Sequence, residues 1–304
     1  MKVMNAISKE IGDAKFCIIV DEARDELVRE QMAVVLKFVD KDGFVHERFF
    51  GVVHVSDIVA LILKKEIYSL LSRYNLDIQN IGGQGYDGTS NMQDESNGLQ
   101  ALISHDCPYA YYIYCFAHRL QLALVAASKA VIPVGKFFDR LAFNINIVGT
   151  SCKRNEQLKL AQDAEFAYLI DIDKLETGRG LNQKCTLQRA KDTRWSSHFR
   201  SISSLIKIFS PTYEVLLKII KEGSISSRQV EADTAYETLT SFEFVFILHL
   251  MKKIMELSDK LCQVLQCQTQ DILIAMRLVS STKELIQTFR DDKWDDLLTN
   301  VISF

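Results

Sequence analysis

Proline is scarce in this chain, with 3 among 304 residues, and glycine numbers only 13. So few chain punctuators disfavour a many-turned all-β fold and favour long helices. A one-signed charge is missing too: Lys+Arg total 36 and Asp+Glu 39, for a net charge of -3. That balance excludes a protein that coats nucleic acid with positive charge along its whole length. No apolar run reaches the roughly 18 to 20 residues that span a bilayer. The longest candidates, Leu120–Ser128 and Phe242–Met251, are short and interrupted by polar residues, so no membrane partner is expected. The stretch from Met1-Lys2-Val3 to Ser8-Lys9-Glu10 has no hydrophobic signal core. The seven cysteines (17, 107, 115, 152, 185, 262 and 267) are odd in number and irregular in spacing. Reduced thiols fit that pattern, and the expected location is nucleus or cytoplasm, not the secretory route. No G-x-S-x-G, Walker or G-x-G-x-x-G motif is present. Gly82-Gly83-Gln84-Gly85 lacks the Lys-Ser/Thr of a P-loop.

What is there reads as globular. Hydrophobic residues make up 48% and charged residues 25%, enough apolar content for a core and against disorder over most of the length. The length sets a prior of about two domains.

The first third alternates strand and helix signals. Phe16–Val20 is a short apolar run ending in Asp21-Glu22, and Met32–Val39 is a second strand. Asp40-Lys41-Asp42-Gly43 is a hairpin turn signal, and it predicts Phe44–Val55 as a third, antiparallel strand. Ser56 is a fair N-cap for a helix over 57–76, where Val59, Leu63, Ile67, Leu70 and Tyr74 fall at helical spacing. An extended segment, 77–86, stops at Gly85-Tyr86-Asp87-Gly88. A helix from Thr89 to about Ile103 and a strand over Tyr109–Phe116 follow, and the pattern is helical from Ala117. The order β-β-β-α-β-α-β-α puts three antiparallel strands before strands joined by helical crossovers, which are parallel partners. The fold class expected is α/β plus all-α: an RNase H-like core over 1–130, then an all-helical, insertion-like domain over 131–304. The later helices are read at Pro133–Val148, Lys153–Ile170, Trp195–Lys221, Arg228–Thr240, Phe242–Leu265 and Asp271–Phe289, with Asp171–Ala190 as a loop. Between Lys184 and Arg228 nine Lys/Arg face three Asp/Glu. This is either a phosphate-contacting surface or a solvated helix face.

Three groups of residues carry candidate chemistry. Asp21 ends the first strand and Asp87 ends the strand after the first crossover, so in this fold both carboxylates reach one edge of the sheet. Two acids there suit Mg²⁺ or Mn²⁺, which take oxygen ligands and activate water in phosphodiester chemistry. The plainer reading is a strand end and an Asp-Gly turn. Cys115-Phe116-Ala117-His118 is a C-x-x-H and, with His105 and Cys107, gives four soft ligands in fourteen residues. The spacing does not match a zinc knuckle, and a buried thiol beside a hydrogen-bonded His accounts for it equally; zinc is not expected. Arg194-Trp195, at a predicted helix start, pairs a base-stacking ring with a phosphate-binding cation. A core anchor is the alternative for the Trp.

Together, FCIIVDEARD, GQGYDGTSNM, CFAHRLQLAL and DTRWSSHFRSISSLI resemble the transposase domain of hAT-superfamily elements. They most resemble plant proteins described as TTF-type zinc-finger and hAT-dimerisation proteins, of the zinc-finger MYM-type-like group. The four blocks occur in the family's order over nearly the whole chain. The resemblance implies an RNase H-like core interrupted by a helical insertion, and a two-metal D-D-E site for DNA cleavage. Asp21 matches its first acid and Asp87 its second. Cys115 and His118 match the C-x-x-H beside that site, and Arg194 and Trp195 match the R-W motif near the insertion, so these four are expected near DNA. Departures shape the expectation. No segment matches the region carrying the family's third acid and dimerisation contacts, nor its N-terminal zinc finger. Gln93-Asp94, Ser96 and Tyr114 differ from the residues relatives often carry. The expectation is therefore a degenerate, truncated transposase-like protein: Asp21 and Asp87 holding Mg²⁺ or Mn²⁺ weakly, no transposase activity, DNA as a partner, and a protein partner covering an incomplete sheet. The family's oligomerisation is not carried over. The alternative is an active divalent-metal nuclease that uses Asp21 and Asp87 with a third acid elsewhere or from a partner.

Overall fold

The computed structural model describes residues 2–24, 29–86, 88–175, 178, 183–190, 195–222, 226–267 and 272–304. Asp87 and Arg194, two of the six candidate residues, lie outside the described residues. The chain divides into two compact units, Met1–Arg119 with Gln266–Gln270 and Leu120–Leu265 with Asp271–Phe304.

The first unit is mixed α/β. Its elements run α1 (Lys2–Ile11), β1 (Phe16–Arg24), β2 (Glu30–Val39), β3 (Val45–His54), α2 (Ala60–Arg73), a 3-10 turn (Ile78–Asn80), β4 (Ile81–Tyr86), α3 (Ser90–Gln93), α4 (Leu99–Asp106) and β5 (Tyr111–Tyr114). The five strands form one mixed sheet in the order β3-β2-β1-β4-β5. The first three are antiparallel, with Asp21 opposite Ala33 and Val35 opposite Phe49. β4 lies parallel to β1, with Ile19 beside Gly85, and β5 lies parallel to β4. The hairpin turn between β2 and β3 is the one the sequence predicts. Gly43 sits at φ +86, a conformation that costs glycine little, and Asp40 accepts from the backbone N–H of Asp42 and of Phe44 at 2.9 Å each.

Alternation decides which face is buried. Phe16, Ile18 and Val20 of β1 and Met32, Val34, Leu36 and Phe38 of β2 point into the core with Ile7 and Ile11 of α1, Leu63, Ile67 and Leu71 of α2, and Leu99 and Ile103 of α4. The opposite face carries Cys17, Ile19 and Asp21, with Phe49 and Val52 of β3 and Tyr111 and Ile113 of β5. Phe49 is 60% exposed and Tyr111 70%.

Four local expectations need correction. Helix α2 starts at Ala60 and not at 57. Its N-cap residue is Val59, which makes no side-chain cap bond, so Ser56 does not cap it. The helix predicted over 89–103 is two helices, because Asp94 accepts from the N–H groups of Ser96 and Asn97 at 2.8 and 2.6 Å and folds 94–98 into a turn. The strand predicted over 109–116 narrows to Tyr111–Tyr114. The helix predicted over 195–221 is likewise broken, at Ile208, three residues before Pro211, whose missing N–H suits a first helical turn.

The second unit is helical. It holds α5 (Phe116–Ala130, entering from the first unit), α6 (Ile132–Gly149), α7 (Cys152–Asp171), α8 (Trp195–Lys207), α9 (Phe209–Glu222), α10 (Ser226–Thr240), α11 (Phe242–Leu265), α12 (Ile272–Asp292) and α13 (Trp294–Ser303). Its core gathers Phe137, Leu141 and Ile145 of α6, Ile202 and Leu205 of α8, Val215 and Leu216 of α9, Ala232 and Ala235 of α10, and Phe244, Leu248, Met251 and Met255 of α11. Among the described residues no single helix is long and apolar enough to cross a membrane.

Candidate functional site

β4 pairs with β1 only as far as Ile19 and Gly85, while β1 runs on against β2 to Arg24, so Asp21 lies inside the first strand and does not end it as the sequence reading expects. Asp21 stands two residues past Ile19, on the exposed side of β1, and its side chain is open to solvent. Glu22 points to the other face, where its carboxylate accepts a 3.0 Å bond from the amide of Asn91, the second residue of α3. The same amide donates to the carbonyl of Ile58 at 2.9 Å. The segment after β4 is thereby tied to both β1 and the approach to α2.

Gly88, at the start of the segment that leads into α3, is held from the β5 side. A Cβ built on Gly88 would lie 1.9 Å from the Tyr114 hydroxyl oxygen and 2.3 Å from Cζ of the same ring. No side chain fits there without moving Tyr114. Beyond β5, the backbone N–H of Cys115 donates to the Tyr86 carbonyl at 3.4 Å. Cys115 is exposed. His118 is half-buried, its ring centroid 6.0 Å from that of Tyr114, and the Arg119 guanidinium lies 5.6 Å from the Tyr114 ring centre. Tyr114 is thus the centre of this edge. It touches the Gly88 loop, the C-x-x-H histidine and a cation. The sequence reading places Cys115 and His118 by motif; it misses Glu22, Asn91 and the Gly88–Tyr114 contact. The GYDGTSNM block held a signal for Gly88 and Asn91, but nothing local marks Tyr114 as their neighbour.

The other soft ligands go elsewhere. His105 is exposed at the end of α4. Cys107 is buried, its thiol donating to the Ile78 carbonyl at 3.1 Å, and burial raises its pKa. Burial likewise pushes the Cys17 thiol up, which disfavours a thiolate. Among the described residues no group of three or more His, Cys, Asp or Glu side chains converges to hold a metal. Asp21 by itself makes no metal centre, and no metal-dependent step follows from it.

Trp195 belongs to the second unit. Its side chain is 1% exposed, and its indole N–H donates to Ser258 Oγ on α11 at 2.8 Å. The core-anchor reading of this residue describes its packing: a large apolar body with its one polar atom satisfied. The basic segment keeps its cations outward on α8 and α9, with Arg200, Lys207, Lys218 and Lys221 exposed. Lys218 approaches Glu222 at 4.0 Å.

The mixed five-stranded sheet is compatible with an RNase-like domain, and residues 1–98 match the family described as DUF4371: ZMYM1/FAM200, RNase-like domain. The chain is also 22% identical over 271 residues to the human "52 kDa repressor of the inhibitor of the protein kinase", a match covering 88% of this chain and 34% of that protein. The mouse protein of the same name is 22% identical over 272 residues, with the same coverage. The chain therefore spans about a third of the length of these curated relatives. The comparisons support a likeness to domesticated, hAT-like transposase-related proteins.

Proposed function

We propose that this chain is a transposase-derived protein that acts by binding and not by cutting, with an RNase H-like core over about 1–130 and a helical insertion-like domain over about 131–304. The observation that carries the reading is the sheet. Three antiparallel strands followed by two parallel ones, in the order β3-β2-β1-β4-β5, lay β4 alongside β1 within the stretch that matches an RNase-like domain, with Asp21 two residues beyond the last β1–β4 pair. The family resemblance assigns the first two acids of a D-D-E enzyme to Asp21 and Asp87. The non-catalytic half of the reading draws on the relatives, whose name is that of a repressor. Asp21 and Asp87 then form a relic pocket with weak affinity for Mg²⁺ or Mn²⁺. Function lies in the basic helical segment, for DNA in the nucleus, or in the open sheet face, for a protein partner.

Binding of a fluorescent DNA duplex between 50 and 200 mM salt tests the DNA half. The expected result is a log–log slope reporting several phosphates, reduced when Arg200, Lys207, Lys218 and Lys221 are replaced by Gln. Binding that ignores salt, or is absent, removes DNA from the reading. One observation favours the alternative of a live nuclease: Asp21 is exposed on the strand edge where a metal-bound phosphodiester would need it. In that case Asp21→Ala abolishes divalent-dependent nicking.

A further inference from the structure

The second unit contains a cavity of about 450 Å³ that no part of the transposase-like reading uses. It lies between α5, α6 and α8 and is closed on one side by the segment 183–190. That segment is pinned. Gln162 of α7, itself buried, donates to the Cys185 carbonyl at 2.9 Å and accepts from the Cys185 N–H at 3.0 Å. Three residues on, the Gln188 N–H donates to Ser204 Oγ at 3.3 Å. Arg189 is thereby held at the cavity wall rather than left on a free loop.

The lining has the composition of a small-molecule site, with an apolar body and a few polar groups. Phe138 and His198 make one aromatic wall, their rings edge to face at 4.8 Å. Among the described residues of the lining, Arg189 and Lys129 bring two cations against one carboxylate, that of Asp139. Ser201, also in the lining, is fully buried, and its hydroxyl has no hydrogen-bond partner among the described residues. A buried hydroxyl without a partner costs free energy and calls for an explanation. Ser128, the other hydroxyl of the lining, is satisfied by the Val125 carbonyl.

We propose that this cavity binds a small organic anion, with a flat apolar body against Phe138 and His198 and one phosphate or carboxylate on Arg189 and Lys129. The volume lies in the range of known ligand sites. Charge-assisted bonds to the two cations give the anion its preference.

Gly135 provides the test. It lines the cavity, and a Cβ built on it meets nothing closer than the Lys129 carbonyl oxygen at 3.8 Å. Gly135→Leu therefore adds bulk at the cavity wall from a position with room for its Cβ, and favours the α6 helix. Phenyl phosphate and benzoate are titrated calorimetrically into the full chain and into Gly135→Leu and Arg189→Ala. The expected result is saturable one-to-one binding of at least one probe, weakened about tenfold or more by Gly135→Leu and by Arg189→Ala. The stronger probe identifies the anion as phosphate or carboxylate. No saturable binding of either probe overturns the proposal. So does binding that survives both Gly135→Leu and Arg189→Ala, which places it elsewhere. Arg189 is exposed, so its variant tests the site even if Gly135→Leu perturbs α6.

Discussion

Gly88 is the position where one added carbon would do most at the candidate site. Its hypothetical Cβ would overlap the Tyr114 hydroxyl, at 1.9 Å. Gly88→Ala is expected to cost about 1–3 kcal/mol, the usual range for forced overpacking. Adding Tyr114→Ala should recover part of that loss, so the double variant costs less than the sum of the two singles. Urea unfolding of the four proteins checks this coupling. Trp195 gives a second prediction at this scale. Trp195→Phe keeps most of the apolar body and loses the bond to Ser258, whose hydroxyl still donates to the Ile254 carbonyl at 2.8 Å. The expected cost is about 1 kcal/mol, against about 3–5 kcal/mol for Trp195→Ala. Equal costs for the two variants in denaturant melts would show that Trp195 is not the packed anchor its 1% exposure indicates.

At the scale of elements, Gln84 joins three of them. From β4 its amide donates to the carbonyl of Ala110 at 2.7 Å, to Ser104 Oγ at 2.9 Å and to the carbonyl of Gln100 at 3.2 Å, and it accepts from the Tyr86 hydroxyl at 2.9 Å. Gln84→Leu strands the Tyr86 hydroxyl and the Ala110 carbonyl in the core. It should cost about 2–4 kcal/mol, read by chemical denaturation. The Lys64–Asp106 pair, at 2.7 Å, links α2 to α4. The bond from Lys64 holds the Asp106 carboxyl below the usual carboxylate range. Because the folded value is depressed, the pair's contribution is present above the unfolded value of about 4 and is lost as pH falls through the folded value. Carbon-detected NMR titration should show Asp106 returning toward the ordinary range in Lys64→Met.

These elements also show what was legible beforehand. The β1–β2–β3 meander could be read because alternation and an Asp-Gly turn are local signals, as was the parallel relation of β1 to β4, because a helical crossover allows little else. The breaks at 94–98 and at Ile208 were harder. Apolar spacing runs through both, and the Asp94 side chain that folds the first turn acts within four residues of an otherwise helical pattern. At the site, Asp21, Cys115 and His118 could be placed by sequence position. Tyr114 against Gly88 could not, since that contact spans two strands and depends on ring direction.

For the whole molecule, the uncovered face of the sheet is the feature with the broadest consequence. Apolar side chains exposed as far as Phe49 and Ile113, at 60% and 58%, make a surface that associates unless it is covered. Phe49→Asp should raise solubility and lower light scattering with little loss of stability, because its side chain has little burial to lose. The central claim is that the chain keeps the transposase-like scaffold without its cutting chemistry. Plasmid nicking in Mg²⁺ and in Mn²⁺ by purified wild-type protein, beside Asp21→Ala, tests it most directly. The account predicts intact plasmid in both samples, with any weak Mn²⁺ binding confined to the wild type. Nicking by the wild type that disappears in Asp21→Ala would contradict it and establish a working nuclease.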